Sequence, residues 1–153
     1  MTTKVETTED RLEIEIRIQA TPAKVFAALT DPAQVTRWWG DPEAYQTTDA
    51  EVDLRVGGRY KFSGRNTDGS AFWVGGEYRE VDAPRRLVYT WEPNWDPAMQ
   101  GDPTVVEITL EPKEGGTTLR VVHRGFERYA EQVGGYHEGW ERVLGWLRRH
   151  VEN

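Results

Sequence analysis

Arg11-Leu12-Glu13-Ile14-Glu15-Ile16-Arg17-Ile18-Gln19-Ala20 is the stretch that decides the fold. Leu12, Ile14, Ile16 and Ile18 alternate with Glu13, Glu15, Arg17 and Gln19. Successive side chains of a strand point to opposite faces, so this period of two describes a strand with one buried and one wet face. The far end of the chain has another period. Tyr136, Trp140, Val143, Leu144, Leu147 and Val151 recur at helical spacing and fall on one stripe. A half-buried strand first, an amphipathic helix last and further alternating segments between predict a curved antiparallel sheet with a helix laid in it. Such an arrangement can enclose a cavity.

Between these ends the punctuation is clear. Thr21-Pro22 is a helix start, an N-cap followed by proline, with Val25, Phe26 and Leu29 on the apolar face. Asp31-Pro32 repeats the signal, Val35, Trp38 and Trp39 share a face, and Gly40 stops the second short helix. Val52, Leu54 and Val56 then alternate with Glu51, Asp53 and Arg55 up to a turn at Gly57-Gly58. Tyr60 and Phe62, then Ala71 to Val81 with Phe72, Val74 and Tyr78 inside, then Leu87, Tyr89 and Trp91 read as the next strands. Val106, Ile108 and Leu110, and finally Leu119, Val121 and His123, read as the last two. Tyr45 to Ala50 shows no clear register. The predicted order is β-αα-β-β-β-β-β-β-α: an α+β fold, seven antiparallel strands and a long C-terminal helix, with two short helices between strands 1 and 2. Residues 1–10 are polar and expected to be flexible; residues 11–153 form one domain.

Composition narrows the function classes. The 153 residues contain no cysteine, which excludes disulfides and thiolate metal sites. A formal net charge of −7 argues against a nucleic-acid phosphate binder. No signal-like or membrane-spanning apolar run is present, and a cytoplasmic location is expected, without a membrane partner. His123, His137 and His150 lack metal-ligand spacing, so no metal is expected. Seven tryptophans are many for one domain and suit either a large aromatic core or an aromatic-lined pocket.

Hairpin-linked strands place their turns alternately at the two ends of the sheet. The connections Asn66–Gly69, Glu92–Pro103 and Gly125–Gly135 therefore share one end, joined by the connection after Trp39. Trp38, Trp39, Trp95, Met99, Phe126 and Tyr129 lie on or beside that rim. They either surround the mouth of a pocket or plug the end of the core.

The residues also carry a resemblance. Ala20-Thr21-Pro22-Ala23-Lys24-Val25-Phe26, Thr30-Asp31-Pro32 leading to Trp38-Trp39-Gly40, and Gly57-Gly58-Arg59-Tyr60 are its first motifs. Gly76-Glu77-Tyr78, Pro84-Arg85-Arg86-Leu87-Val88-Tyr89-Thr90-Trp91, Gly116-Thr117-Thr118-Leu119 and His137-Glu138-Gly139-Trp140 follow. From about Arg11 onward the chain resembles the SRPBCC superfamily (START and birch-pollen-allergen fold), and within it the single-domain AHSA-like group, activator-of-heat-shock-protein-ATPase homologues. The resemblance implies a helix-grip: a seven-stranded antiparallel sheet wrapped around the last helix and a cavity. It does not fix function, because superfamily members include lipid carriers, hormone receptors, aromatic cyclases, co-chaperones and self-resistance proteins.

The leading expectation is a protein that binds or sequesters a hydrophobic small molecule, aromatic or polycyclic. No cofactor is expected. The expected contacts are Trp38, Trp39, Tyr60, Phe62, Phe72, Tyr89 and Trp91, continuing with Trp95, Met99, His123, Phe126, Tyr136, Trp140 and Leu144. Trp95 and Met99 are expected to fold over the mouth as a lid. One alternative is an enzyme of the cyclase, dehydratase or hydrolase type. His123, inward by alternation, or His137 with Glu141 at i,i+4 would then move protons. The plainer readings, a bonded core histidine and an exposed helix pair, are favoured for both. A second alternative is a co-chaperone-like stress protein with a chaperone partner. Homodimerisation stays open.

Overall fold

The computed structural model describes residues 4–8 and 10–153. Among these, strands β1 (Lys4–Thr7), β2 (Arg11–Ile18), β3 (Gly40–Asp41), β4 (Tyr45–Val52), β5 (Arg59–Asn66), β6 (Ala71–Asp82), β7 (Arg86–Pro93), β8 (Thr104–Lys113) and β9 (Gly116–Arg124) form one sheet. Its order is β1-β2-β9-β8-β7-β6-β5-β4-β3, and every neighbouring pair is antiparallel. Helices α1 (Pro22–Thr30) and α2 (Pro32–Trp38) follow β2, and α3 (Val133–Glu152) closes the chain. α3 packs on β2, α1 and α2.

The helix starts follow the sequence. Thr21 Oγ1 accepts from the Lys24 amide at 3.2 Å and Asp31 Oδ1 from that of Ala33 at 3.1 Å, with Pro22 and Pro32 in the first turns. Each cap satisfies an amide that the first helical turn leaves unpaired. β2 alternates as expected: Leu12, Ile14, Ile16 and Ile18 are buried and face β9.

Two expectations need correction. The sheet has more than seven strands: eight of four or more residues, plus the two-residue β3, among the described residues. The added long strand, β1, lies in the segment expected to be flexible; residues 1–3 and 9 of that segment fall outside the described residues. Lys4-Val5-Glu6-Thr7 is too short and polar to show a period. It is a strand because the open edge of β2 supplies its hydrogen-bond partners, Lys4 opposite Glu15 through Thr7 opposite Leu12.

The second correction concerns the segment before Gly57. β4 ends at Val52; Leu54 and Val56 are 39% and 63% exposed in the connection to β5. Local bonds bend this segment: the Asp53 amide donates to the Arg59 carbonyl, the Gly58 amide to that of Arg55, and Gly57 adopts φ +85°. The strand is instead the stretch without a clear register. A bulge between Thr47 and Asp49 inserts a residue into its pairing with β5, and one extra residue inverts the alternation.

The core has two halves. Around β2, β9 and β8 it is aliphatic, with Val106, Ile108, Leu110, Leu119 and Val121 buried. Around β4 to β7 it is aromatic, with Tyr60, Phe62, Phe72, Tyr78, Tyr89 and Trp91 buried. The pocket lies in the aromatic half.

Candidate functional site

A pocket of ≈ 680 Å³ lies between the N-terminal half of α3 and strands β4 to β7. Trp39, at the end of α2, Phe62 on β5, Trp91 on β7 and Trp140 on α3 form its deep wall. The Trp39 and Trp91 rings stack at 6.4 Å, and Trp140 stands 6.1 Å from Trp39 and 6.2 Å from Trp91. The exposed lining residues, among them Asn66, Ser70, Trp95 and Glu131, sit on or beside the three connections whose turns alternation places at one end of the sheet.

The indole N–H groups of the deep wall are already paired. Trp39 donates to the Tyr45 hydroxyl at 3.1 Å, Trp91 to that of Tyr136 at 3.1 Å, and Trp140 to His123 Nδ1 at 3.0 Å. The walls therefore present ring faces. Among the described residues no Lys, Arg or His lines the pocket, and Glu131 at the mouth is the one charged side chain in the lining.

His123 is fully buried behind this wall, outside the lining. Nδ1 accepts from Trp140, so Nε2 carries the proton and donates to Thr104 Oγ1 at 2.7 Å. Burial pushes its pKa down to about 3. At neutral pH it is an uncharged bracket that orients Trp140, a role unlike the proton transfer considered from sequence. His137 and Glu141 also lie off the lining. His137 Nε2 approaches Glu141 Oε1 to 2.6 Å, without hydrogen-bond alignment at the imidazole.

Of the expected contacts, Trp39, Phe62, Phe72, Trp91, Trp95, Tyr136 and Trp140 converge on the pocket. Trp38 packs behind Trp39 and donates to the Ala28 carbonyl at 2.9 Å. Tyr60 and Tyr89 join Tyr78 in a buried cluster, where Tyr60 donates to the Thr90 carbonyl at 2.7 Å. Leu144 is buried in the core. Met99 and Phe126 are sealed completely, Met99 with its sulfur 4.0 Å from the Tyr136 hydroxyl and Phe126 against His123 and Tyr136. At these two positions the core is plugged; Met99 is no lid. Of the aromatics expected at the rim, Trp95, 52% exposed and edge-on to Phe72 and Trp91, reaches the pocket, as Trp39 does.

Sequence reasoning missed Tyr45, Thr47, Gly135 and Gly139, all of which line the pocket. The bulge hid the first two. The glycines had a signal: they are spaced i,i+4 inside a helix, on the flank of the Tyr136–Trp140–Val143 stripe. Glycine in a helix interior destabilises it by roughly 0.5–1 kcal/mol relative to alanine, which invites a reason for its presence. A Cβ at either position would meet nothing within 4 Å. The missing side chains leave this part of the pocket open.

A family model described as Activator of Hsp90 ATPase homolog 1-like protein matches residues 19–152. Among solved structures, a Rhodobacter sphaeroides protein superposes with a TM-score of 0.83 at 22% identity, covering 99% of this chain and 98% of its own. A Nitrosomonas europaea protein gives 0.79 at 24% identity, covering 96% and 97%. An AHSA1-like protein from Aeromonas hydrophila gives 0.79 at 26% identity, covering 93% and 92%. No curated protein matches the chain.

Proposed function

Because the chain belongs to the Activator of Hsp90 ATPase homolog 1-like family of the SRPBCC superfamily, we propose that it binds a hydrophobic, planar small molecule in the pocket between α3 and β4–β7. The family admits a ligand-binding or a co-chaperone-like role, and the pocket favours the first. The observation that carries the reading is the set of indoles, Trp39, Trp91, Trp95 and Trp140, around ≈ 680 Å³ of open space. That volume falls in the range of roughly 300–1,000 Å³ usual for small-molecule sites. Stacking on ring faces selects flat apolar ligands. Among the described residues the lining holds one carboxylate, Glu131 at the mouth, and no Lys, Arg or His to pair with it, which favours binding over catalysis.

Isothermal titration against a panel of planar aromatics, with melting curves in parallel, tests this. Saturable 1:1 binding that raises the melting temperature by mass action is expected; a flat response across the panel overturns the reading. Trp95→Ala should weaken affinity by about 1–3 kcal/mol, the worth of one buried aromatic contact. The melting temperature should hardly move, since half of Trp95 is already in water. A large fall in melting temperature with unchanged affinity would instead make Trp95 a structural residue.

A further inference from the structure

Charge separates the ligands that this pocket can take. Eight of its lining residues are aromatic, and four of those are tryptophan. An aromatic ring is negative on its face, so a cavity walled by rings favours positive charge over negative. Apart from Glu131, the rest of the lining is uncharged among the described residues. Asn66, Ser70, Asn94 and Gln132 are polar, but amides and hydroxyls pair with a cation or an anion alike and do not choose between them. Glu131 lies exposed in the short turn Ala130–Gln132 before α3, at the mouth. Just outside the lining both signs occur. Asp68 accepts from the Ser70 hydroxyl at 2.6 Å, and Arg65 donates to the Gly69 carbonyl at 3.0 Å. Burial raises the Tyr136 pKa, with Trp91 and Trp95 opposing and Asp96 adding to it. Burial also raises that of Tyr45, with Trp39 and Arg142 opposing. These two acids and two bases offset one another. The rings and Glu131 therefore set the preference.

We propose that the pocket selects planar aromatic cations, whose delocalised positive charge lies among the rings and is balanced by Glu131 at the mouth. The proposal rests on the pocket being a small-molecule site and names the charge class of its ligand. A positive charge spread over a planar group is weakly hydrated, as in guanidinium, and loses little on leaving water. An anion would enter without a counter-charge, since no Lys, Arg or His lines the pocket among the described residues. The net charge of −7 also concentrates cations around the protein.

Three probes on one tricyclic frame test it by titration calorimetry at pH 8 and low salt: 10-methylacridinium, acridine, which is neutral there, and acridine-9-carboxylate. The wild-type protein should bind the cation about tenfold more tightly than acridine, the scale of a desolvated cation–ring contact, and the carboxylate most weakly. The ratio of cation to acridine affinity is then followed in two variants. Glu131→Gln should lower it by about two- to threefold, the worth of an exposed ion pair, and added salt should remove that difference. Trp95→Leu keeps apolar bulk but removes a ring, and should lower the ratio at any salt concentration. Both positions are at least half exposed or on a surface turn, so both variants should fold. Equal affinity for cation and acridine, or tighter binding of the carboxylate than of the cation, overturns the charge selection and leaves the pocket reading standing. A ratio that neither substitution changes places the preference elsewhere on this acidic protein and overturns it too. Binding of no probe removes the pocket reading and the charge selection with it.

Discussion

Replacing Gly139 with leucine should weaken binding of a planar aromatic ligand by roughly ten- to 100-fold while leaving the fold at least as stable as before. Gly139 lies inside α3 with no positive φ, lines the pocket, and has open space where its Cβ would be. Two effects then separate. Any side chain with good helix propensity removes the glycine penalty and stabilises α3 by roughly 0.5–1 kcal/mol. That raises the melting temperature by about 2–4 °C per kcal/mol in a domain of this size. Leucine further places branched carbon in the space between the helix and the indoles. Ligand and side chain cannot share that volume, and overpacking of about 1–3 kcal/mol lowers affinity by roughly ten- to 100-fold. Gly139→Ala separates the terms: the same stabilisation with a small loss of affinity. Melting curves and titration calorimetry on both variants decide. A lowered melting temperature for Gly139→Ala would show that the helix needs glycine for its backbone, and unchanged affinity for Gly139→Leu would put the ligand elsewhere.

His123→Leu should be the most destabilising substitution considered, by about 2–5 kcal/mol at pH 7.5. It strands the Trp140 indole N–H and the Thr104 hydroxyl in a sealed interior, each unpaired group being unfavourable by about 1–3 kcal/mol. The histidine also imposes a pH dependence with a definite sign. Its pKa is about 3 in the folded protein and about 6.5 in an unfolded chain. Between these values the unfolded state holds one more proton, so stability increases with pH. The contribution is complete above about pH 6.5 and falls by about 1.4 kcal/mol per unit as pH drops toward 3. His150 has the same sign, its pKa lowered by burial and then by Arg37 and Lys24. Urea unfolding at pH 7, 6 and 5 in a His137→Gln/His150→Gln background leaves His123 as the one histidine and stays above the main carboxylate titrations. Wild-type His123 should show the slope and His123→Leu should lack it. A substitution costing less than about 1 kcal/mol, or one that keeps the slope, would show that His123 is not the sealed bracket described.

How much was legible from the chain alone is clearest residue by residue. Thr21-Pro22 and Asp31-Pro32 predicted two helix starts that the structure has, because a cap and a fixed φ are properties of two adjacent residues. Leu12 to Ile18 predicted the first long strand for the same kind of reason, since alternation encodes which face meets the core. Alternation misled at Val52–Leu54–Val56, where bonds between Asp53, Arg55 and Gly58 bend the chain before the pattern can pair. It was silent at Lys4–Thr7, which becomes a strand through a neighbour's open edge.

The site divides along the same line. That aromatics and the longer connections gather at one end of an antiparallel sheet was readable, because hairpin order alone dictates it. Which aromatics face open space was not. Trp39 and Trp38 are adjacent and chemically identical, yet one lines the pocket and the other donates to Ala28 behind it. Met99 and Trp95 share a loop, yet one is sealed and the other half exposed. Local spacing sets the element and the face of each residue. A pocket is a volume left unfilled by side chains distant in sequence: β4 with its bulge, β7, and the glycines of α3. Only their packing together determines where that volume remains.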